Sequence, residues 1–181
     1  MAGITHTELR LLLDAPLREH ATVGIEVLKA ALLKTPDREA LQDALEENNA
    51  AVAEAIEAGY PGTHDDFLEL WRAHSGYYRE SLDATIQDDE AAKEKAKDKL
   101  EAFTEEASNI LADASPLLDP DDLQEALNIH ICHITAIITD LADEEYDDAY
   151  ATAHETYEHM GLAAELLSRY ASIHQTGTIR L

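Results

Sequence analysis

The sequence predicts an all-α protein, an up-down bundle of about six helices built from three helical hairpins. Three observations point there. Ala, Leu and Glu, all strong helix formers, dominate the chain. Apolar residues recur at steps of three and four, not at alternate positions. Gly and Pro are few, 7 and 5 of 181 residues, which disfavours a turn-rich all-β chain.

The elements follow in order. A first helix is expected from Thr5 to Lys34, with a break or kink at Pro16, just past a candidate N-cap at Asp14. Thr35-Pro36-Asp37 ends it and caps a second helix reaching Ala58, and Gly59-Tyr60-Pro61-Gly62 is a clear break. The third helix starts at Thr63 or Asp65 and runs to Gln87; the fourth covers Glu90 to Ala112. Ser115-Pro116 and Asp119-Pro120 punctuate the next connection. The fifth spans Asp121 to Leu141 and the sixth Glu145 to His174, with the last residues expected to fray. Residues 1–181 read as one domain.

The layout contains a repeat. His20, His74 and His130 occupy corresponding places in the first helix of each hairpin, 54 and 56 residues apart. Each precedes an acidic turn: Asp37, Asp88-Asp89 and Asp143-Glu144. A period of this size suggests a multiplied helix–turn–helix unit.

Charge bounds the function classes. With 13 basic against 38 acidic residues the net charge is −25, which argues against binding a phosphate backbone and hence against nucleic acid. The acids run all along the chain, and Lys occurs six times, four of them between Lys93 and Lys99. Such a surface suits concentrated salt, where screening removes self-repulsion, so the chain reads as an acidic, halophilic protein. Its faces would also suit a basic protein partner; a homo-oligomer is the other partner expected. Met1 to Arg10 has no basic region followed by an apolar run, and Ile129–Ile138 is interrupted by His130, His133 and Thr135. A cytoplasmic protein without a membrane partner is therefore expected. One cysteine, Cys132, excludes an internal disulfide framework; it is expected to be a small buried hydrophobe.

The histidines carry the most information. On the fifth helix Leu123, Leu127, His130, Ile134, Ile137 and Leu141 form one apolar seam with His130 in its middle. On the first, Leu13, Leu17, His20, Gly24, Val27 and Ala31 give His20 the same role; on the third, Phe67, Trp71, His74 and Tyr78 do so for His74. Seams converge in a bundle, so three imidazoles can meet. His159 lies at the border of the sixth helix's apolar face, followed by Met160. Converging imidazoles suit Zn, Cu or Fe, and a thioether favours copper among them. Storage, sensing or buffering of a transition metal is the function expected; a haem-like cofactor ranks behind a bare ion. The competing reading is a non-catalytic structural or interaction module whose core histidines are hydrogen-bonded by groups such as Asn48, Asn49, Tyr77, Tyr78 and Thr156. Tyr146, Tyr150 and Tyr157 read as packing residues of the sixth helix.

Other chemistries find no motif. Leu17, Trp71, Leu127 and Thr156 stand three before the four candidate histidines, so the Glu-x-x-His pairs of di-iron bundles are absent. There is no His-x-x-x-His, no Gly-rich phosphate loop, no Gly-x-Ser-x-Gly and no His-Glu-x-x-His. No residue is assigned a catalytic role.

Glu19-His20, Leu70-Trp71-x-x-His74 with Tyr77 and Tyr78, His130, and the closing His159-Met160 together resemble an all-helical bacterial domain found in copper-amine-oxidase-like N-terminal regions. The resemblance spans Leu11 to Ala171 and implies a helical fold without implying oxidase chemistry. On this reading His20, His74, His130, His159 and Met160 are the candidate ligands, and Glu19, Asn49, Trp71 and Tyr78 surround them. Cys132 and His133 fall outside the pattern.

Overall fold

The computed structural model describes residues 4–176, with side chains through 171. Six helices follow one another: α1 His6–Leu33, α2 Arg38–Gly59, α3 His64–Ile86, α4 Glu90–Ala114, α5 Pro120–Ala142 and α6 Tyr146–Thr176. Every helix expected from the sequence is present. Residues beyond Thr176 lie outside the described residues, and with them the frayed end expected there. No helix among the described residues is long and apolar enough to cross a membrane.

Local chemistry sets the ends. Thr5 and Glu8 form a reciprocal capping box at the start of α1. Asp89 caps α4 and Asp119 caps α5, where Pro120 supplies a first-turn residue that needs no donor. The start of α3 is capped from the preceding helix. Glu57 accepts hydrogen bonds from the backbone N–H groups of Gly62, Thr63 and His64 at 2.9–3.0 Å, and these hold its carboxyl below the usual range. The break expected at Pro16 is not there: α1 runs through it without interruption. Packing on both sides overrides the local cost, since Leu13 and Leu17 are buried, and each buried leucine contributes about 1.5–3 kcal/mol.

The three hairpins pack cyclically. α1, α3 and α5 touch one another and form the inner set. Each outer helix lies between its own inner partner and the next one: α2 between α1 and α3, α4 between α3 and α5, α6 between α5 and α1. The hairpin turns repeat too. Each uses one left-handed non-glycine residue, Lys34, Asp88 and Glu144, spaced 54 and 56 apart like the histidines. The next N–H reaches back five residues each time: Thr35 to Ala30 (3.1 Å), Asp89 to Ala84 (3.0 Å) and Glu145 to Asp140 (2.8 Å). That is the longer bond of a Schellman closure. The repeat inferred from histidine placement is thus also a repeat of the backbone.

Two packing expectations change. Cys132 is exposed, because it lies two positions from His130 on α5 and so points away from the core. Tyr146, Tyr150 and Tyr157 are exposed as well. Two of them carry cations instead of filling the core: Lys29 Nζ donates to the Tyr150 hydroxyl at 2.7 Å, and Arg18 lies 4.5 Å from the Tyr157 ring centre.

Candidate metal centre

The inner helices bring three imidazoles together. His20 from α1, His74 from α3 and His130 from α5 are all buried. Each offers one ring nitrogen such that the three atoms lie within 4.8 Å of one another, close enough to hold a metal ion. The ring centres are 5.2 Å apart for His20–His74, 6.4 Å for His20–His130 and 6.5 Å for His74–His130.

The hydrogen bonds fix two of the tautomers. The Asn48 amide nitrogen donates to the Pro16 carbonyl at 3.0 Å and to Glu19 Oε2 at 3.2 Å. Both partners only accept, so the amide oxygen must face His20, 3.0 Å from its Nδ1. His20 Nδ1 therefore carries the proton, and Nε2 keeps a lone pair. His74 Nδ1 donates to the Trp71 carbonyl, so its Nε2 is likewise a lone pair. These two Nε2 atoms face each other at 3.3 Å with no proton between them when both rings are neutral. His130 Nδ1 has no hydrogen-bond partner among the described residues.

Burial keeps the rings neutral. It lowers His20 to about 4, against a smaller upward pull from Asn48. His74 is pushed well below its usual range by burial first and then by repulsion from His20 and His130. His130 is driven the same way by burial, then by His20, His159 and His133. Neutral imidazoles have no proton to lose before they ligate.

The residues expected around the ligands sit as follows. Glu19 orients Asn48, which orients His20; Asn48, not Asn49, makes that contact. Trp71 supplies its carbonyl to His74 and packs its ring 4.4 Å from that imidazole and 4.8 Å from His20. Tyr78 stands edge-on to His74 and His130, and burial raises its phenol well above the usual range. The hydroxyl of Tyr78 and the amide oxygen of Asn49 have no partner among the described residues. Thr156 bonds the Thr152 carbonyl instead of a histidine.

His159 and Met160 come from the outer helix α6. His159 is half-buried, its Nε2 donates to the Ala126 carbonyl at 2.8 Å, and its ring is edge-on to His133 at 5.8 Å. His159 is not part of the cluster formed by the other three histidines. Met160 is buried beside a small apolar cavity of about 30 Å³ that His130 and Trp71 also border. The physical reason is α6's outer position: its apolar face meets α1 and α5 rather than the axis between the inner helices.

The seam assigned to α1 also shifts. After His20 the buried positions are Ala21, Ile25 and Leu28, while Gly24 and Val27 are half-buried and border a cavity of about 270 Å³ beside the histidines. Among the residues lining that cavity, Ser75, Gly76, Arg72 and Arg79 were not expected at the site. One signal was present in the sequence: Gly24 and Gly76 are glycines inside helices, four and two residues after a seam histidine. Comparison with protein-family models, with curated proteins and with solved structures gives no match to this chain.

Proposed function

We propose that the bundle binds one transition-metal ion, zinc, copper or iron, through His20, His74 and His130, and serves to hold, sense or buffer it. One observation carries this reading: two buried Nε2 lone pairs face each other at 3.3 Å, both pinned by hydrogen bonds on the opposite ring nitrogen. Two acceptors at that distance repel unless a cation lies between them. For nitrogens at 2.0–2.1 Å from a tetrahedral metal, the expected separation is also about 3.3 Å. A shared proton would serve two nitrogens only and leave His130 without a partner. A metal serves all three. Asn48 and the Trp71 carbonyl then act as the outer partners that fix ligand tautomers. The all-nitrogen donor set is borderline in softness and fits zinc, copper and iron alike.

The alternative, a module with hydrogen-bonded core histidines, accounts for Nδ1 of His20 and His74. It leaves the Nε2 pair and His130 unexplained. The resemblance to the bacterial copper-amine-oxidase-like N-terminal domain stands as part of this proposal.

Elemental analysis of protein purified without chelator or affinity-tag metal tests the reading. About one metal ion per chain is expected, falling to near zero in His74→Ala. A wild-type stoichiometry near zero that persists after incubation with zinc, copper(I) and iron(II) salts overturns it.

We further read the charge of −25 as adaptation to a salt-rich cytoplasm. The melting temperature should rise as KCl increases through the molar range, and a flat or falling curve would contradict that.

A further inference from the structure

Donor softness leaves the identity of the ion open; charge narrows it. An imidazole ligates through a lone pair and brings no charge of its own. The cluster is three such groups, and no carboxylate or thiol joins it among the described residues. An ion held there keeps its full charge. The cost of taking an ion out of water grows with the square of that charge, so at equal size a divalent ion costs about four times as much as a monovalent one.

The immediate surroundings do not offset the charge. His20, His74 and His130 are 4%, 0% and 3% exposed. Aromatic rings close around them: His74 lies nearly flat on Phe103, with ring centres 4.6 Å apart and planes at 15°, and Trp71 packs on both His74 and His20. Glu19, the acid that bonds into this network, reaches Asn48 at 3.2 Å and not a ring.

Periodicity carries the same exclusion along the bundle axis. The position three before a histidine lies one turn away on the same face of its helix. In di-iron bundles that place belongs to the glutamate of a Glu-x-x-His pair, so the iron there is met by carboxylates. Here the three places hold Leu17, Trp71 and Leu127, all packed in the core. Four residues after the histidines stand Gly24, Tyr78 and Ile134. The chain has 38 acidic residues, and neither tier carries one.

Donor number and arrangement agree with the charge. Zinc is almost always four-coordinate in protein sites, and structural zinc takes thiolates among its ligands. Copper(II) favours square or tetragonal arrangements, whereas these nitrogens come from three helices around one axis. Copper(I) has a filled d shell, carries one charge and is satisfied by three neutral nitrogens.

We propose that the ion this site takes is copper in its monovalent state, bound by the imidazoles of His20, His74 and His130 without an anionic ligand, and that the site selects against divalent ions through their charge. The inference rests on the metal-binding reading above and names the ion.

The test titrates the metal-free full chain under nitrogen with copper(I) against a chromophoric copper(I) chelator, and with zinc against a zinc chelator. One copper(I) per chain is expected, silent in electron paramagnetic resonance and bound at least about a hundredfold more tightly than zinc. Leu127→Glu places a carboxylate one turn from His130 at a half-buried position. It attracts a divalent ion twice as strongly as a monovalent one and should narrow the copper-to-zinc ratio by about tenfold or more. Silver(I) and cobalt(II) give a second reading that needs no variant: silver should exchange with bound copper(I), and cobalt should not. Zinc binding as tight as copper(I), a ratio unchanged in Leu127→Glu, or cobalt displacing copper(I) overturns the proposal and leaves the metal-binding reading standing. No binding of copper(I), zinc or iron(II) by the wild type overturns both.

Discussion

The molecule holds two groups of histidines, and they are built on opposite terms. His20, His74 and His130 come from the three inner helices, are buried, and turn ring nitrogens toward shared space. His133 and His159 come from α5 and α6, are half-buried, and stand edge-on at 5.8 Å. In the first group a hydrogen bond to one nitrogen of His20 and of His74 leaves the other as a directed lone pair. In the second, His159 uses Nε2 on a backbone carbonyl, and its neighbour's Nδ1 is buried without a partner among the described residues. The difference teaches that proximity of imidazoles is not enough. A ligand set also needs its tautomers fixed outward, so that the lone pairs face a common point.

The largest expected effect separates the two groups directly. His74→Ala should abolish metal binding, whereas His159→Ala should leave about one ion per chain. His74→Leu, measured without metal, should melt at or above the wild-type temperature. It removes one of two facing lone pairs and fills the volume with carbon, and such apolar replacements of buried polar groups are often neutral or stabilising. A wild-type metal content in His74→Ala would erase the distinction between the groups.

The next effect is on pH. His20, His74 and His130 all titrate below their ordinary value in the folded protein because burial disfavours their charged form. The unfolded chain takes up protons near pH 6.5 and the folded one does so lower, at about 4 for His20. Between these values the unfolded state binds more protons, so metal-free stability falls as pH drops below about 6.5, by up to about 1.4 kcal/mol per pH unit for each imidazole. Denaturant unfolding at pH 7.5, 6 and 5 measures the slope. His20→Phe should reduce it, while His159→Ala, in which the lost ring is only half-buried, should reduce it less. Equal reductions would mean that burial does not distinguish the groups.

Asn48 sharpens the comparison at smaller scale. Asn48→Leu keeps the volume and removes the acceptor that holds the proton on His20 Nδ1. Metal affinity should fall 10–100-fold, the usual effect of losing an outer partner, with stoichiometry at saturation unchanged. A competition titration against a chromophoric chelator reads this. An unchanged affinity would show that the His20 tautomer is not set by Asn48.

Much of this was legible in the chain. The helices followed from period and punctuation, and the three inner histidines from their place in apolar seams repeated 54 and 56 residues apart. Seam position reports which face is buried, and that suffices where three inner helices surround one axis. It does not report which helices are inner. His159 also sits beside an apolar face, yet α6 is an outer helix, and that depends on long-range packing that no local window contains. Cys132 is exposed for a simpler reason: two positions from His130 on a helix, it points away from the buried seam. No break forms at Pro16, where a local rule met a buried seam on both sides. Asn48 and Asn49 were both expected near the rings and Asn48 holds one, since adjacent positions on a helix point about 100° apart and only the packing of α2 on α1 decides between them.

The smallest expected effect is at Met160, and it closes the comparison from the other side. Met160 is buried next to the same His130 and Trp71 that border the small apolar cavity of about 30 Å³. Were it a ligand, Met160→Leu would remove a soft donor and shift preference away from copper(I). As a packing residue it should behave like any near-isosteric core swap: a loss of less than about 1.5 kcal/mol, with metal content and the copper-to-zinc preference unchanged. His159→Gln keeps a donor that can reach the Ala126 carbonyl and should likewise leave metal binding intact. Copper(I) and zinc titrations of the two variants beside wild type measure both quantities. A copper-selective loss in Met160→Leu would place the thioether in the coordination sphere, and the inner three histidines would no longer be the whole site.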